Sequence, residues 1–147
     1  MTDAPVVRDS GERRSLPPFG DEHEQLRATI RRWVENEVAP HVDEWDAAQE
    51  FPRGLYERAA ELGFLGLKYP TELGGQGGDY VHDAVWAEEL AAAGAGGGVG
   101  AGLGAHTGIA TPPIWKFGTP DQRERFLRPA IAGEKIGALG ITEPGAG

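Results

Sequence analysis

The chain has 147 residues with 23 acidic against 14 basic side chains and a formal net charge of -9, which suits one domain and gives no phosphate-neutralising footprint for a nucleic acid or an anionic lipid surface. With 39% hydrophobic, 8% aromatic and 25% charged residues it can bury a core and is not a disordered chain. The absence of cysteine excludes disulfides, thiolate metal sites and cysteine nucleophiles, and the expected location is cytoplasmic, with no membrane segment or secretion signal in the chain.

Residues 1–20 carry no helical or strand period and read as a flexible tail. From Asp21, with Glu24 three residues on as a capping-box pair, Leu26, Ile30, Trp33, Val34, Val38, Val42 and Trp45 recur at three- and four-residue steps and predict a long amphipathic helix. Pro40 predicts a kink or break near Asn36. A second helix is predicted from Pro52 to Gly63, with Leu55, Tyr56, Ala59 and Leu62 inward. Tyr69 to Gly78, rich in glycine, predicts a shaped loop. A third helix is predicted over Asp79–Ala93, with Val81, Ala84, Val85 and Leu90 apolar and Glu88 and Glu89 exposed.

Seven glycines crowd between Gly94 and Gly104. Each disfavours helix by about 1 kcal/mol relative to alanine, so a loop is the first expectation, and small residues for close packing or a widened cavity are the second. The letters Gly100-Ala101-Gly102-Leu103-Gly104-Ala105 match a dinucleotide fingerprint, but a helix precedes them where that fingerprint needs a strand. His23, His41, His82 and His106 show no metal-ligand spacing, so no metal site is expected, and the four tryptophans read as packing residues. Thr119-Pro120-Asp121-Gln122 is a strong helix start and Gly133 its stop. Ile136 to Thr142 then predicts a lone strand, which opens a sheet whose partners lie beyond Gly147. The turn Pro144-Gly145-Ala146-Gly147 behind Thr142 suits either an anion or ring edge, or a plain strand-to-strand turn.

Thr142-Glu143-Pro144-Gly145-Ala146-Gly147 closely resembles the first signature of the acyl-CoA dehydrogenase family of flavoproteins, and Tyr69-Pro70-Thr71-Glu72-Leu73-Gly74-Gly75-Gln76-Gly77-Gly78 resembles its loop between N-terminal helices. Phe117 to Gln122, Phe126-Leu127 and Gly133-Glu134-Lys135 are similar to the helix before that signature. The resemblance runs from Asp21 to Gly147; the Ser-Asp that continues the family pattern does not follow. It implies a mainly α fold, the N-terminal helical domain of the family over 21–133, and the first strand of a truncated middle β-domain over 134–147.

The resemblance also implies FAD as cofactor, with backbone groups of Leu139 and Ile141 and the Thr142 hydroxyl at the flavin ring and Gly147 toward the pyrophosphate. Gly104 would lie beside the acyl tail. The implied activity is α,β-desaturation of an acyl-CoA thioester in fatty acid metabolism, by a homo-oligomer, tetramer or dimer, at full length. The family's base is a glutamate of the C-terminal domain that no carboxylate here matches, so no catalytic residue is assigned and the fragment is expected to be inactive alone. A flavin oxidase or monooxygenase of the same fold, and a noncatalytic helical module that joins a partner subunit, are the alternatives.

Overall fold

Pro40, Pro112 and Pro129 each lack the amide that a helix donates to the carbonyl four residues back, and each ring crowds that carbonyl. In the structure, a computed structural model that describes residues 18–92 and 94–146, the backbone ahead of each proline opens into a wider π turn. These turns, Val34–Val38, Ala105–Ala110 and Arg123–Leu127, each stop two residues short of their proline. The widening separates ring and carbonyl without ending the helix.

The first long helix therefore runs as α1 (Asp21–Trp33), the π turn, a 3-10 turn (Ala39–His41) and α2 (Val42–Ala48), with the expected break around Asn36. Its N-cap is Gly20, not Asp21: the Gly20 amide donates to His23 Nδ1 (3.0 Å), and Glu24 lies buried beside Arg27 instead of closing the cap. Next come α3 (Gly54–Glu61) and α4 (Tyr80–Ala92). Between them the loop 69–78 folds back on 66–69, the Gln76 amide donating to the Gly66 carbonyl and the Gly78 amide to Leu67. Any Cβ on Gly75 would lie 2.1 Å from the Tyr69 carbonyl oxygen, so only glycine allows that approach.

The glycine cluster keeps the expected irregular backbone over 94–97, which are turns, and corrects the loop expectation beyond it. From Gly98 the backbone is helical through α5 (Gly98–Gly104), the π turn and α6 (Thr111–Phe117). The last helix starts on Thr119 with the expected box, the Gln122 amide donating to Thr119 Oγ1 (3.2 Å) and the Thr119 amide to Gln122 Oε1 (2.8 Å). It continues as α7 (Pro120–Gln122), a π turn and α8 (Arg128–Ile131), and turns out at Gly133 with φ +75°. The described residues are helical with no strand, as the mainly α expectation requires. Residues 136–142, predicted as a strand, take no regular structure because a strand needs a neighbour to pair with.

Ile30, Val34 and Val38 meet Leu55 and Ala59 of α3, Val85 and Leu90 of α4, and Val99 and Leu103 of α5 in the main core. Trp33 and Trp86 stack at its centre, 5.7 Å between ring centroids. A smaller cluster of Tyr69, Leu73, Leu127 and Ile131 seats the last helix. The buried stripe of α4 is Val85, Trp86, Glu89 and Leu90, so Glu89 corrects the expectation of an exposed carboxylate. It is drawn inward by α1: Arg27 Nη1 and Arg31 Nε each donate to it at 2.8 Å, and Arg27 also pairs with Glu88 at 2.7 Å. Burial alone would raise the Glu89 carboxyl, but the arginine hydrogen bonds outweigh it and hold the carboxyl below its usual range.

Glu89→Gln is expected to lower unfolding stability by about 3–5 kcal/mol, the cost of leaving buried arginine charge without its counter-ion, measured by urea denaturation. Because the folded carboxyl titrates below its unfolded value of 4.5, the stabilisation is complete above that pH and lost as pH falls through the folded value. The variant should therefore show a flatter acid limb than the parent.

Candidate functional site

Two glycine rows give α5 its use. Gly98 and Gly102, one turn apart, face α2 and α3 so closely that a Cβ would lie 2.9 Å from Asp46 Oδ1 at Gly98 and 2.7 Å from the Phe51 ring at Gly102. Gly100, Gly104 and Gly108 face α4 and line an apolar groove of about 350 Å³ walled by Trp86, Leu90 and Thr107. At Gly104 and Gly108 a Cβ would meet nothing within 4 Å. The cluster thus serves both close packing and an open groove.

The π turn Ala105–Ala110 turns His106 and Thr107 inward, where both are buried, and a side chain satisfies the Thr107 carbonyl, which Pro112 leaves without an amide donor. Lys68 donates to the Thr107 carbonyl (2.7 Å) and pairs with Asp83 at the groove edge. Burial pushes the Asp83 carboxyl up, against the pull of Lys68. Tyr69 donates its hydroxyl to Thr111 Oγ1 and Thr111 donates to the His106 carbonyl, both at 2.7 Å. Burial raises the Tyr69 phenol and lowers the His106 imidazole. His106 Nδ1 accepts from the Gly137 amide at 2.9 Å, and Nε2 lies 3.2 Å from the Ala130 carbonyl.

Leu139 and Ile141 are 53% and 75% exposed, and Thr142 is exposed beside them. Among the described residues no backbone hydrogen bond engages 138–142. The segment therefore presents free amides, carbonyls and a hydroxyl next to two apolar side chains, a donor set that suits the edge and face of a heteroaromatic ring such as flavin. Gly147 lies outside the described residues, and Leu139, Ile141 and Thr142 do not line the groove that holds Gly104.

A family model described as "Acyl-CoA dehydrogenase, N-terminal domain" matches residues 20–134. The chain belongs to the acyl-CoA dehydrogenase family. It is 39% identical over 144 residues to the mouse mitochondrial long-chain specific acyl-CoA dehydrogenase, covering 98% of this chain and 32% of that protein. It is 38% identical over 129 residues to the 3-(aryl)acrylate reductase of Clostridium sporogenes, covering 88% and 34%. Among solved structures, a probable acyl-CoA dehydrogenase from Mycobacterium abscessus superposes with TM-score 0.81 at 45% identity, covering 88% of this chain and 34% of that one. An acyl-CoA dehydrogenase complexed with FAD from Bacillus anthracis superposes with TM-score 0.75 at 37% identity, over 88% and 22%. The chain spans about a third of the length of these curated relatives.

Some groups escaped sequence reasoning. Lys68 and Asp83 are far apart in sequence, and only the Pro112-Pro113 pair hinted at the π turn that joins them to Thr107. His23 and His82, which show no metal-ligand spacing in sequence, lie with their rings tilted by 50° and centroids 4.5 Å apart, and with Glu22 they bring three ligand atoms within 4.8 Å of one another. The Gly20 amide already occupies the His23 Nδ1 lone pair, which leaves the ring hydrogen on the buried Nε2, so this group caps α1.

The glycine rows predict opposite responses to one added methyl. Gly104→Ala should stabilise the fold by up to about 1 kcal/mol through helix propensity. Gly102→Ala should destabilise it by about 1–3 kcal/mol through overpacking against Phe51, both measured by urea denaturation.

Proposed function

We propose that this chain is the N-terminal portion of a flavin-dependent acyl-CoA dehydrogenase that desaturates the α,β bond of an acyl-CoA thioester. The observation that carries this reading is the pairing, in a domain of this family, of a glycine-lined apolar groove with a segment of unpaired backbone and hydroxyl groups. FAD, when bound, supplies the acceptor for the hydride that leaves the β-carbon. Leu139 and Ile141 would hold its ring through backbone groups, Thr142 through its hydroxyl, and Gly147 would lie toward the pyrophosphate. Gly104 would leave room for the acyl tail, whose burial excludes water from the reacting carbons.

The α-proton goes to a carboxylate from outside residues 1–147, so this chain orients and encloses but does not abstract. A site of this kind runs in either direction, and a relative is named as an acrylate reductase. In this proposal the working form is a cytoplasmic homo-oligomer, and incomplete flavin contacts make this stretch alone inactive.

Residues 1–147 joined to the remaining two thirds of a full-length relative provide the test. Thr142→Val there should weaken FAD binding or slow flavin reduction by roughly 2- to 10-fold, the worth of one hydrogen bond of about 0.5–1.5 kcal/mol, read by flavin fluorescence and stopped flow. Unchanged affinity and rate would reject the role of Thr142. In the same hybrid, Gly104→Leu should lower turnover of long acyl-CoAs more than short ones. Equal loss at every chain length would remove Gly104 from the substrate path.

A further inference from the structure

Among the described residues, the hydrogen bonds that tie the segment 138–142 to the helices are made by the residues just before it. The Glu134 and Lys135 amides donate to the Pro129 carbonyl at 2.9 and 3.1 Å, Arg53 donates to the Glu134 carbonyl at 2.6 Å, and Lys135 Nζ donates to the Arg125 carbonyl at 2.9 Å. These contacts are peptide carbonyls and exposed cations. The last anchor is different in kind: the Gly137 amide donates 2.9 Å to Nδ1 of His106, a fully buried imidazole. Gly137 occupies a notch in the helix, where a Cβ would lie 3.0 Å from the Ala110 side chain and 3.7 Å from that of Thr111. Beyond it the next backbone bond within the chain is a local turn, Ala146 to Glu143.

We infer that His106 is a positioning residue: a neutral imidazole, hydrogen on Nε2 and lone pair on Nδ1, clasps Gly137 and thereby sets where residues 138–142 leave the helical domain. Geometry assigns the tautomer. A backbone amide can only donate, so Nδ1 must accept, and the Ala130 carbonyl can only accept, so Nε2 must carry the hydrogen. Protonation would place a second hydrogen on Nδ1, facing the Gly137 N–H, and open the clasp. The titratable group facing the ring is Tyr56 of α3, edge-on at 5.6 Å. From its own helix Thr107 and Thr111 turn to backbone carbonyls, and among the described residues no carboxylate or cation acts on the ring: burial, against the Ala130 hydrogen bond, holds its pKa below the usual 6.5. Since the folded form resists protonation more than the unfolded form, the clasp is intact above about pH 6.5 and is lost as pH falls through the folded value.

The relevance of the clasp to flavin rests on the reading above, but its existence can be tested without flavin. In the 15N-labelled chain at pH 7.5, imidazole shifts of His106 should report the Nε2–H tautomer, and the Gly137 amide should exchange at least 10-fold more slowly than those of 139–142. Lowering the pH should bring loss of Gly137 protection together with protonation of His106, ahead of global helix loss. In His106→Leu, which removes the acceptor at the Nδ1 position, trypsin should cut after Lys135 at least 10-fold faster while helical circular dichroism is retained. An Nδ1–H tautomer or an unprotected Gly137 amide in the parent chain would overturn the inference, even if the variant fails to fold. So would a folded His106→Leu with unchanged cleavage. A clasp that passes these tests alongside a Thr142→Val hybrid with normal flavin behaviour would leave the inference standing and remove the flavin role of Thr142.

Discussion

A proline within a helix withdraws one donor and pushes one carbonyl aside, and the arrangement of this domain depends on how the backbone absorbs that demand before Pro112. By opening Ala105–Ala110 into a π turn, the chain keeps a helical path from Gly98 to Phe117 yet changes which residues face inward at its middle. His106 and Thr107 become buried, and the freed Thr107 carbonyl is claimed by Lys68. The groove, the Lys68–Asp83 pair and the hold on Gly137 all meet at this one turn. The same device recurs before Pro129, where Lys135 reaches the Arg125 carbonyl four residues ahead of the proline.

The second organising element is charge placed where none is expected. Arg27 and Glu89 are both nearly inaccessible and bonded to one another, with Arg31 and Glu88 closing the group toward solvent. Apolar packing between α1 and α4 would tolerate sliding by a turn, whereas directional pairs accept one register. The stacked Trp33 and Trp86 rings lie within that fixed register.

Local signals were legible wherever a residue acts on its own neighbours. Thr119 with Gln122, Gly133 and the break near Asn36 are decided by backbone chemistry within a few positions, and the signature around Thr142 pointed to the family that the comparisons establish. What escaped depended on partners distant in sequence. Glu89 looks like a solvated residue until Arg27 is placed opposite it. The glycines of α5 look like a loop because propensity counts the cost of each one and not the contact with Phe51 that Gly102 permits. Residues 136–142 have strand composition, but composition cannot supply the second strand.

The tryptophan stack gives the domain an internal optical gauge. Two indoles held 5.7 Å apart and 20° from parallel couple their excited states, and both are almost wholly shielded from water. Trp45 and Trp115 sit only partly buried at the margins of the two cores. The ultraviolet exciton signal of the domain therefore originates where α1 meets α4, while the emission most open to aqueous quenchers originates at its periphery. One chain thus reports separately on the register of its central helices and on the state of its rim.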